Sequence, residues 1–283
     1  MSNKNYLSIY AKSFNWAGFF LPKNIYLKCS TLYDFCRIID NIVDEDGDIN
    51  YKKNKLTNFK NNFIDKNYND SVIKNMWAII NDHGISNKII NDLFVGVESD
   101  LKQQVKINSK KDLLVYSYRV AGTVGLMMAK ILNVKNQNAL KAAIDLGIAM
   151  QLTNISRDVV EDSKRNRHYI NNDFEKIKET LKIADQFYES SFSSIKKIPF
   201  NCRFSILVAR RVYRKIGDKI ISKKNIENYN QSGKIYVSNT GKIIQTILSI
   251  IDLIKLFLIK SDEHFRKEEH LLINEEINLN ERI

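Results

Sequence analysis

QLTNISRDVVED, residues 151–162, sets Asn154, Asp158 and Asp162 four residues apart in a segment otherwise rich in Leu, Ile and Val. In a helix this spacing places the three oxygen-bearing groups on one face, with Gln151 one turn earlier. Like charges so placed repel by roughly 0.2–0.5 kcal/mol per pair. Ionised groups in an apolar helix need a partner, so the stretch predicts both a helix and a cation that this face holds.

Further upstream, YDFCRIIDNIVDE, residues 33–45, repeats the design. Asp40 and Asp44 lie one turn apart, Arg37 one turn before Asp40, and Tyr33 one turn before Arg37. Solvated faces or intrahelical ion pairs account for Asp34, Glu45 and Glu161, but not for two repulsive ladders. Carboxylate and amide oxygens without His or Cys are hard ligands, which point to Mg²⁺ or Mn²⁺ rather than zinc. The helical spacing excludes a calcium-binding EF-hand loop. Mg²⁺ takes only one or two protein carboxylates and completes its shell with water and phosphate. The third party is therefore a phosphate-bearing ligand between two helices. Basic groups fit such a ligand: Arg37 and Arg157 are interleaved with the acids, and Lys164, Arg165 and Arg167 follow the second ladder. AKSF, residues 11–14, adds Lys12 and Ser13. On its own, Lys12 reads as a surface lysine.

The rest of the chain predicts an all-α fold. Among 283 residues, 44% hydrophobic, there are two prolines, Pro22 and Pro199, and ten scattered glycines. Long stretches without breakers favour helices, expected over 22–44, 51–65, 70–83, 86–106, 111–133, 136–165, 171–195, 200–222 and 239–268. The one strand candidate is KIYVS, 234–238. With no Pro/Ser linker, low-complexity block or repeat, residues 1–283 read as a single domain. IIQTILSIIDLIKLFLI, 243–259, is interrupted by Asp252 and Lys255 and falls short of the ~20 apolar residues of a spanning helix. A buried helix is the plainer reading, an interfacial one the alternative.

A net charge of +12 suits nucleic acid, an anionic membrane or a phosphorylated ligand. The lysines are dispersed and no nucleic-acid motif occurs, so no nucleic-acid partner is expected. Cys29, Cys36 and Cys202 are odd in number and far apart, which fits a reducing compartment without a disulfide framework. No secretory signal pattern opens the sequence, and a cytoplasmic location is expected. The sequence fixes no oligomeric state.

These stretches resemble the squalene/phytoene synthase family, the head-to-head branch of the prenyl transferases. The resemblance runs from AKSF through LYDFCRIIDNIVDE, VAGTVG at 120–125 and LGIAMQLTNISRDVVEDSKRNRHYI at 146–170, then more weakly through ARRVYRKIGDKI at 209–220 and GKIYVSNTGK at 233–242. It implies an all-α isoprenoid-synthase helical bundle around a central cavity, with two prenyl diphosphates bound through Mg²⁺. It makes Asp40 and Asp44, then Asn154, Asp158 and Asp162, the metal ligands, the four aspartates counting as catalytic. Lys12, Ser13, Tyr33, Arg37, Gln151, Arg157 and Tyr213 match positions that contact diphosphate or the reacting end of the chain. Two departures stand out. Asn41 replaces the second of the family's paired aspartates, at a position facing away from the ladder. Lys234 stands where many relatives have arginine, keeping the charge but losing the fork.

The implied reaction ionises one diphosphate and joins two prenyl chains through a cyclopropylcarbinyl diphosphate, with water excluded. Phe14, Phe35, Tyr116 and Tyr118 are aromatic faces able to steady a cation, or plain core. Gly122 and Gly125 inside a helical stretch cost about 1 kcal/mol each relative to alanine; a locally opened helix and close helix–helix packing explain that equally well. VAGTVG is similar to the carotenoid branch, so phytoene from two geranylgeranyl diphosphates is expected, without NADPH. Dehydrosqualene, or presqualene diphosphate and squalene, from farnesyl diphosphate are the alternatives. A catalytically inactive assembly-factor relative would have no reason to keep both ladders. A long hydrocarbon product implies peripheral contact with a membrane, and the positive charge favours an anionic inner leaflet.

Overall fold

Pro22 and Pro199 each introduce a 22-residue helix, Lys23–Asp44 and Phe200–Ile221. Their fixed φ suits a helix entry and their missing N–H falls where no intrahelical bond is needed. The computed structural model describes residues 12–259 and 268–283. Within them the helices are α1 (Lys12–Gly18), α2 (Lys23–Asp44), α3 (Ile49–Ile64), α4 (Ser71–His83), α5 (Asn87–Glu98), α6 (Lys110–Ser117) and α7 (Thr123–Ile131). They continue as α8 (Gln137–Lys164), α9 (Phe174–Phe192), α10 (Phe200–Ile221), α11 (Ile226–Gln231), α12 (Asn239–Leu258) and α13 (Glu268–Asn274). Side-chain caps start many of them: Asp48, Asp70, Ser86, Asn136 and Ser238 each accept from a backbone N–H in the first turn.

The helix expected over 86–106 stops at Glu98, and the chain turns into a two-residue strand, Val105–Lys106. This pairs in parallel with Arg167–His168, tying the loop after α5 to the end of α8. KIYVS contains no strand; it is an extended link between α11 and α12. The helix expected over 111–133 is broken by a π turn at Tyr118–Gly122, where Thr123 N–H donates to Tyr118 O five residues back. Gly125 answers the other half of the glycine question: a Cβ there would lie 2.2 Å from Ala143 O of α8. The helix is opened at one glycine and pressed against its neighbour at the next. The expected 239–268 helix runs to Leu258, and residues 260–267 lie outside the described chain.

One continuous cluster of buried apolar side chains runs from Ala17 to Leu279. α8 stands at its centre, packed on α6, α7, α9 and α10, while α2 packs on α3, α4, α5 and α7. The two ladder helices thus flank α7. The buried reading of 243–259 is overturned. α12 hides Lys242, Gln245, Ser249 and Asp252 and leaves its isoleucines in solvent, because what it meets on α1 and α10 is Trp16 Nε1–H and the guanidinium of Arg211.

Candidate functional site

The first ladder lies along α2. Asp40 is reached by solvent yet walled in by protein, which marks a recess between helices rather than the outer surface. Burial, then the neighbouring Asp44 carboxylate, pushes the Asp40 carboxyl up to about 7, against the pull of Arg37. Tyr33 lies on the same side of α2; burial raises its phenol to about 12 despite Arg37.

The second ladder lies along α8. Arg157 grips Asp158 through Nε, 2.8 Å from Oδ1, and through Nη2. Lys234, from the link before α12, reaches Glu161 at 2.9 Å and Asp158 at 3.8 Å, so the lysine in place of arginine keeps its contact with the ladder. Burial and then Asp158 push the Asp162 carboxyl up to about 7. Asn154 Nδ2 points to Gln151 Oε1 at 3.5 Å, while Asn154 Oδ1 is buried and accepts no hydrogen bond.

Arg167 joins the two helices. Its Nη1 donates to Asp44 Oδ1 at 2.7 Å, and Arg165 adds a contact to Asp44 Oδ2 at 3.0 Å. The same guanidinium stabilises the charged forms of both Asp40 and Asp162, so ladders some 120 residues apart in sequence share one cation. The short pairing of Val105–Lys106 with Arg167–His168 holds Arg167 in place. On the opposite side Tyr213 of α10 is buried among groups from both helices, its phenol raised by burial, favoured in its charged form by Arg157 and disfavoured by Tyr33. Phe14 of α1 lies 4.8 Å from the Tyr213 ring, which brings the half-buried Ser13 into this region. Lys12 is exposed at the start of α1, near enough to Lys242 to depress that ammonium's proton affinity, though burial is the larger cause.

Asp100 is the residue that sequence reasoning missed. Its carboxylate accepts from Tyr116 and Tyr169, each at 2.8 Å, and the two hydroxyl oxygens are 2.9 Å apart. Burial raises its pKa, with Arg167 opposing. Its charge also raises Asp40 and Asp162. A lone aspartate in a turn after α5 has no periodicity to betray it. Tyr229 of α11 was missed for the same reason; its hydroxyl donates to the Ser156 and Arg157 carbonyls, each at 2.9 Å, and fixes α8 from behind. Of the four aromatics weighed for cation contact, Phe35 and Tyr118 are fully buried core, Phe35 among Phe59, Phe63 and Phe94. Tyr116 and Phe14 remain beside the site.

Among the described residues no three acidic, His or Cys side chains form a ready-made metal cage, because arginine and lysine already occupy Asp44 and Asp158. The donors left are the Asn154 oxygen and the two carboxyls held near neutrality, Asp40 and Asp162. That set fits a hard divalent cation that also takes water and phosphate. A separate cleft of about 380 Å³, lined by Arg210, Arg211 and Arg214 with Asp185, Glu189 and Asp252, contains no ladder residue; Arg211 and Arg214 there are already paired with Asp252, Asp185 and Glu189.

The sequence pattern of the squalene/phytoene synthase family matches residues 8–240. A 15-cis-phytoene synthase of Paracoccus sp. is 29% identical over 261 residues, 82% of this chain and 84% of the relative. A phytoene synthase of Cereibacter sphaeroides is 30% identical over 242 residues, 74% of this chain and 68% of the relative. The crystal structure of a dehydrosqualene synthase in complex with ligand superposes with a TM-score of 0.75 at 26% identity, covering 88% of this chain and 94% of that one. The all-helical architecture is that of the isoprenoid synthases.

Proposed function

Since the chain belongs to the squalene/phytoene synthase family and is a prenyltransferase of the head-to-head type, we propose that it joins two geranylgeranyl diphosphates to form phytoene. The observation that carries the reading is the convergence of two ladders on Arg167, with Asn154 Oδ1, Asp40 and Asp162 left as oxygen donors. The continuous core supports one catalytic domain.

Asp40, Asp44, Asn154, Asp158 and Asp162 would hold the divalent cations, Mg²⁺ or Mn²⁺, which when bound supply Lewis-acid stabilisation to a leaving diphosphate. Arg157 and Arg167, paired here with Asp158 and Asp44, and Arg37, which pulls the Asp40 carboxyl down, would turn toward phosphate oxygens when diphosphate binds, since the guanidinium fork suits them. Lys12 and Ser13 at the start of α1 would complete the anion-binding side. Tyr33, Gln151 and Tyr213, from α2, α8 and α10, would lie beside the reacting ends of the chains. Phe14 against Tyr213 closes that side to water, which would otherwise capture a carbocation. The Asp100 carboxylate, held by Tyr116 and Tyr169, adds fixed negative charge near the reacting centre.

The phytoene synthase relatives and the VAGTVG stretch at 120–125 favour the longer substrate. The likeness to a dehydrosqualene synthase favours farnesyl diphosphate. Incubation with each diphosphate, with and without NADPH, separates them. Phytoene from the C20 substrate without reductant is expected, and Asp158→Ala should abolish it with an unchanged helical CD spectrum. Dehydrosqualene from the C15 substrate, or squalene only with NADPH, would overturn the choice. A hydrocarbon product requires a place to go. No helix of the described residues is long and apolar enough to cross a membrane, so contact would be peripheral, at the cytoplasmic leaflet.

A further inference from the structure

α12 is amphipathic the wrong way round. Lys242, Gln245, Ser249 and Asp252, spaced at three and four residues, face inward and are at most 8% exposed. Ile243, Ile244, Ile247, Ile250, Ile251 and Ile254 face outward, each 47–58% exposed. The inward side is tied to neighbouring helices: Arg211 forks onto Asp252, and Trp16 Nε1–H donates to Thr246 at 3.0 Å. The outward side carries no hydrogen-bonding side chain on any of its six isoleucines. The strip continues into the last turn, where Phe257, 63% exposed, lies 6.3 Å from the similarly exposed Phe200 of α10. A 20-residue helix is about 30 Å long. Apolar patches of that extent on a surface mark an interaction site.

We propose that α12 is a membrane-docking surface, lying in the plane of an anionic bilayer with its isoleucine face among the acyl chains. The inference deepens the peripheral contact proposed above and rests on that reading for its purpose, while its geometry stands apart. Charge selects the occupant. The only carboxylate of α12, Asp252, is turned inward and paired, whereas Lys255 is exposed on the helix. At its end Lys196 Nζ donates to Ile259 O at 3.3 Å. A second copy placed face to face would bring these cations together with no acid between them. Anionic headgroups would instead meet them while lipid tails cover the isoleucines. A protein partner would also be expected to use hydrogen bonds and aromatic anchors at the centre of its contact, and the centre of this strip is aliphatic. α10 lies between the docking face and the reaction space: Arg211 faces α12, and Tyr213, two residues on, faces Arg157 of α8. A hydrocarbon leaving the site would have one helix to pass to reach lipid.

The test floats the full chain on vesicles without substrate. Co-flotation with phosphatidylcholine vesicles containing phosphatidylglycerol is expected, falling with added salt. It should drop about tenfold or more with neutral vesicles or in the Ile247→Glu/Ile251→Glu variant. That variant alters only exposed side chains, so its CD spectrum and its turnover of detergent-dispersed substrate should match wild type. Wild-type protein that stays unbound at low salt, or a variant that floats equally well, overturns the proposal. A concentration-dependent dimer abolished by the same substitutions, with flotation unchanged, would assign the face to a second copy instead. Vesicle binding is read without turnover, so an inactive wild type that floats would sink the enzyme reading alone.

Discussion

Asn154 carries a side-chain oxygen that is buried and accepts no hydrogen bond, an arrangement that costs about 1–3 kcal/mol when nothing satisfies the atom. Asp40 and Asp162 share its predicament: burial and neighbouring carboxylates push both to about 7. A carboxyl whose pKa is raised on folding binds its proton more tightly folded than unfolded. Its penalty is absent below the ordinary carboxylate range and grows as pH rises toward 7. The metal-free protein should therefore lose stability between about pH 4 and pH 7 and level off above that, and Mg²⁺ with pyrophosphate should raise Tm more at pH 8 than at pH 6. Asn154→Ala should leave the metal-free Tm unchanged or higher while removing most of that ligand-induced shift, a pairing that thermal denaturation with and without Mg²⁺ checks. An equal shift in the variant would exclude Asn154 as a ligand. These residues were legible in the sequence because repulsion at i,i+4 is visible in the order of letters. Asp100 was not, since its importance lies in Arg167, Tyr116 and Tyr169, which reach it only through tertiary contact.

The meeting of α7 and α8 is set by two glycines. Each stands where a side chain would strike main chain opposite: a Cβ on Gly147 would lie 2.3 Å from Ala121 O in the π turn that leads into α7, and one on Gly125 would lie 2.2 Å from Ala143 O of α8. Both obstacles are main chain, so neither can rotate away. Gly147→Ala should destabilise the protein by roughly 1–3 kcal/mol, even though alanine is the better helix former. Gly147 is one turn before Gln151, so the shift forced on α8 would move the whole second ladder. Activity measured well below Tm should fall further than the lost stability explains. Gly84, at φ +59 with nothing within 4 Å of its added Cβ, is the contrasting case, where alanine would cost only backbone strain. The longer helices were legible from composition and period, and most of their boundaries fell within a few residues, whereas α1, α11 and α13 were too short to show a period. What period cannot report is which way a face points. The strip along α12 has the spacing of a core stripe, and it lies in solvent because Asp252 found its partner, Arg211, inward.

Residues 268–283 tie distant parts of the molecule to the site through charge. Glu269 reaches Lys110 at 2.7 Å, Glu276 reaches Arg119 at 2.7 Å, and His270 Nε2 lies 2.7 Å from the buried Asp145 of α8. The two-pronged contact among these is Arg282, whose guanidinium meets both oxygens of Asp92 at 2.9 and 3.2 Å. Asp92 is 7% exposed and also accepts from the Tyr118 hydroxyl at 3.0 Å. Tyr118 begins the π turn, and Tyr116, two residues earlier, holds Asp100. A line of contacts thus runs from the end of the described chain to the reacting centre. Removing the arginine strands a buried carboxylate with one phenol for company. Arg282→Ala should therefore cost about 3 kcal/mol, read as a Tm lower by several degrees. Adding Asp92→Asn should return part of that loss, because the stranded charge disappears while the Tyr118 hydroxyl keeps an acceptor. If the pair only fastened the tail, the double variant would be no better than Arg282→Ala. Recovery of stability in the double variant would place the loss in the buried charge at Asp92.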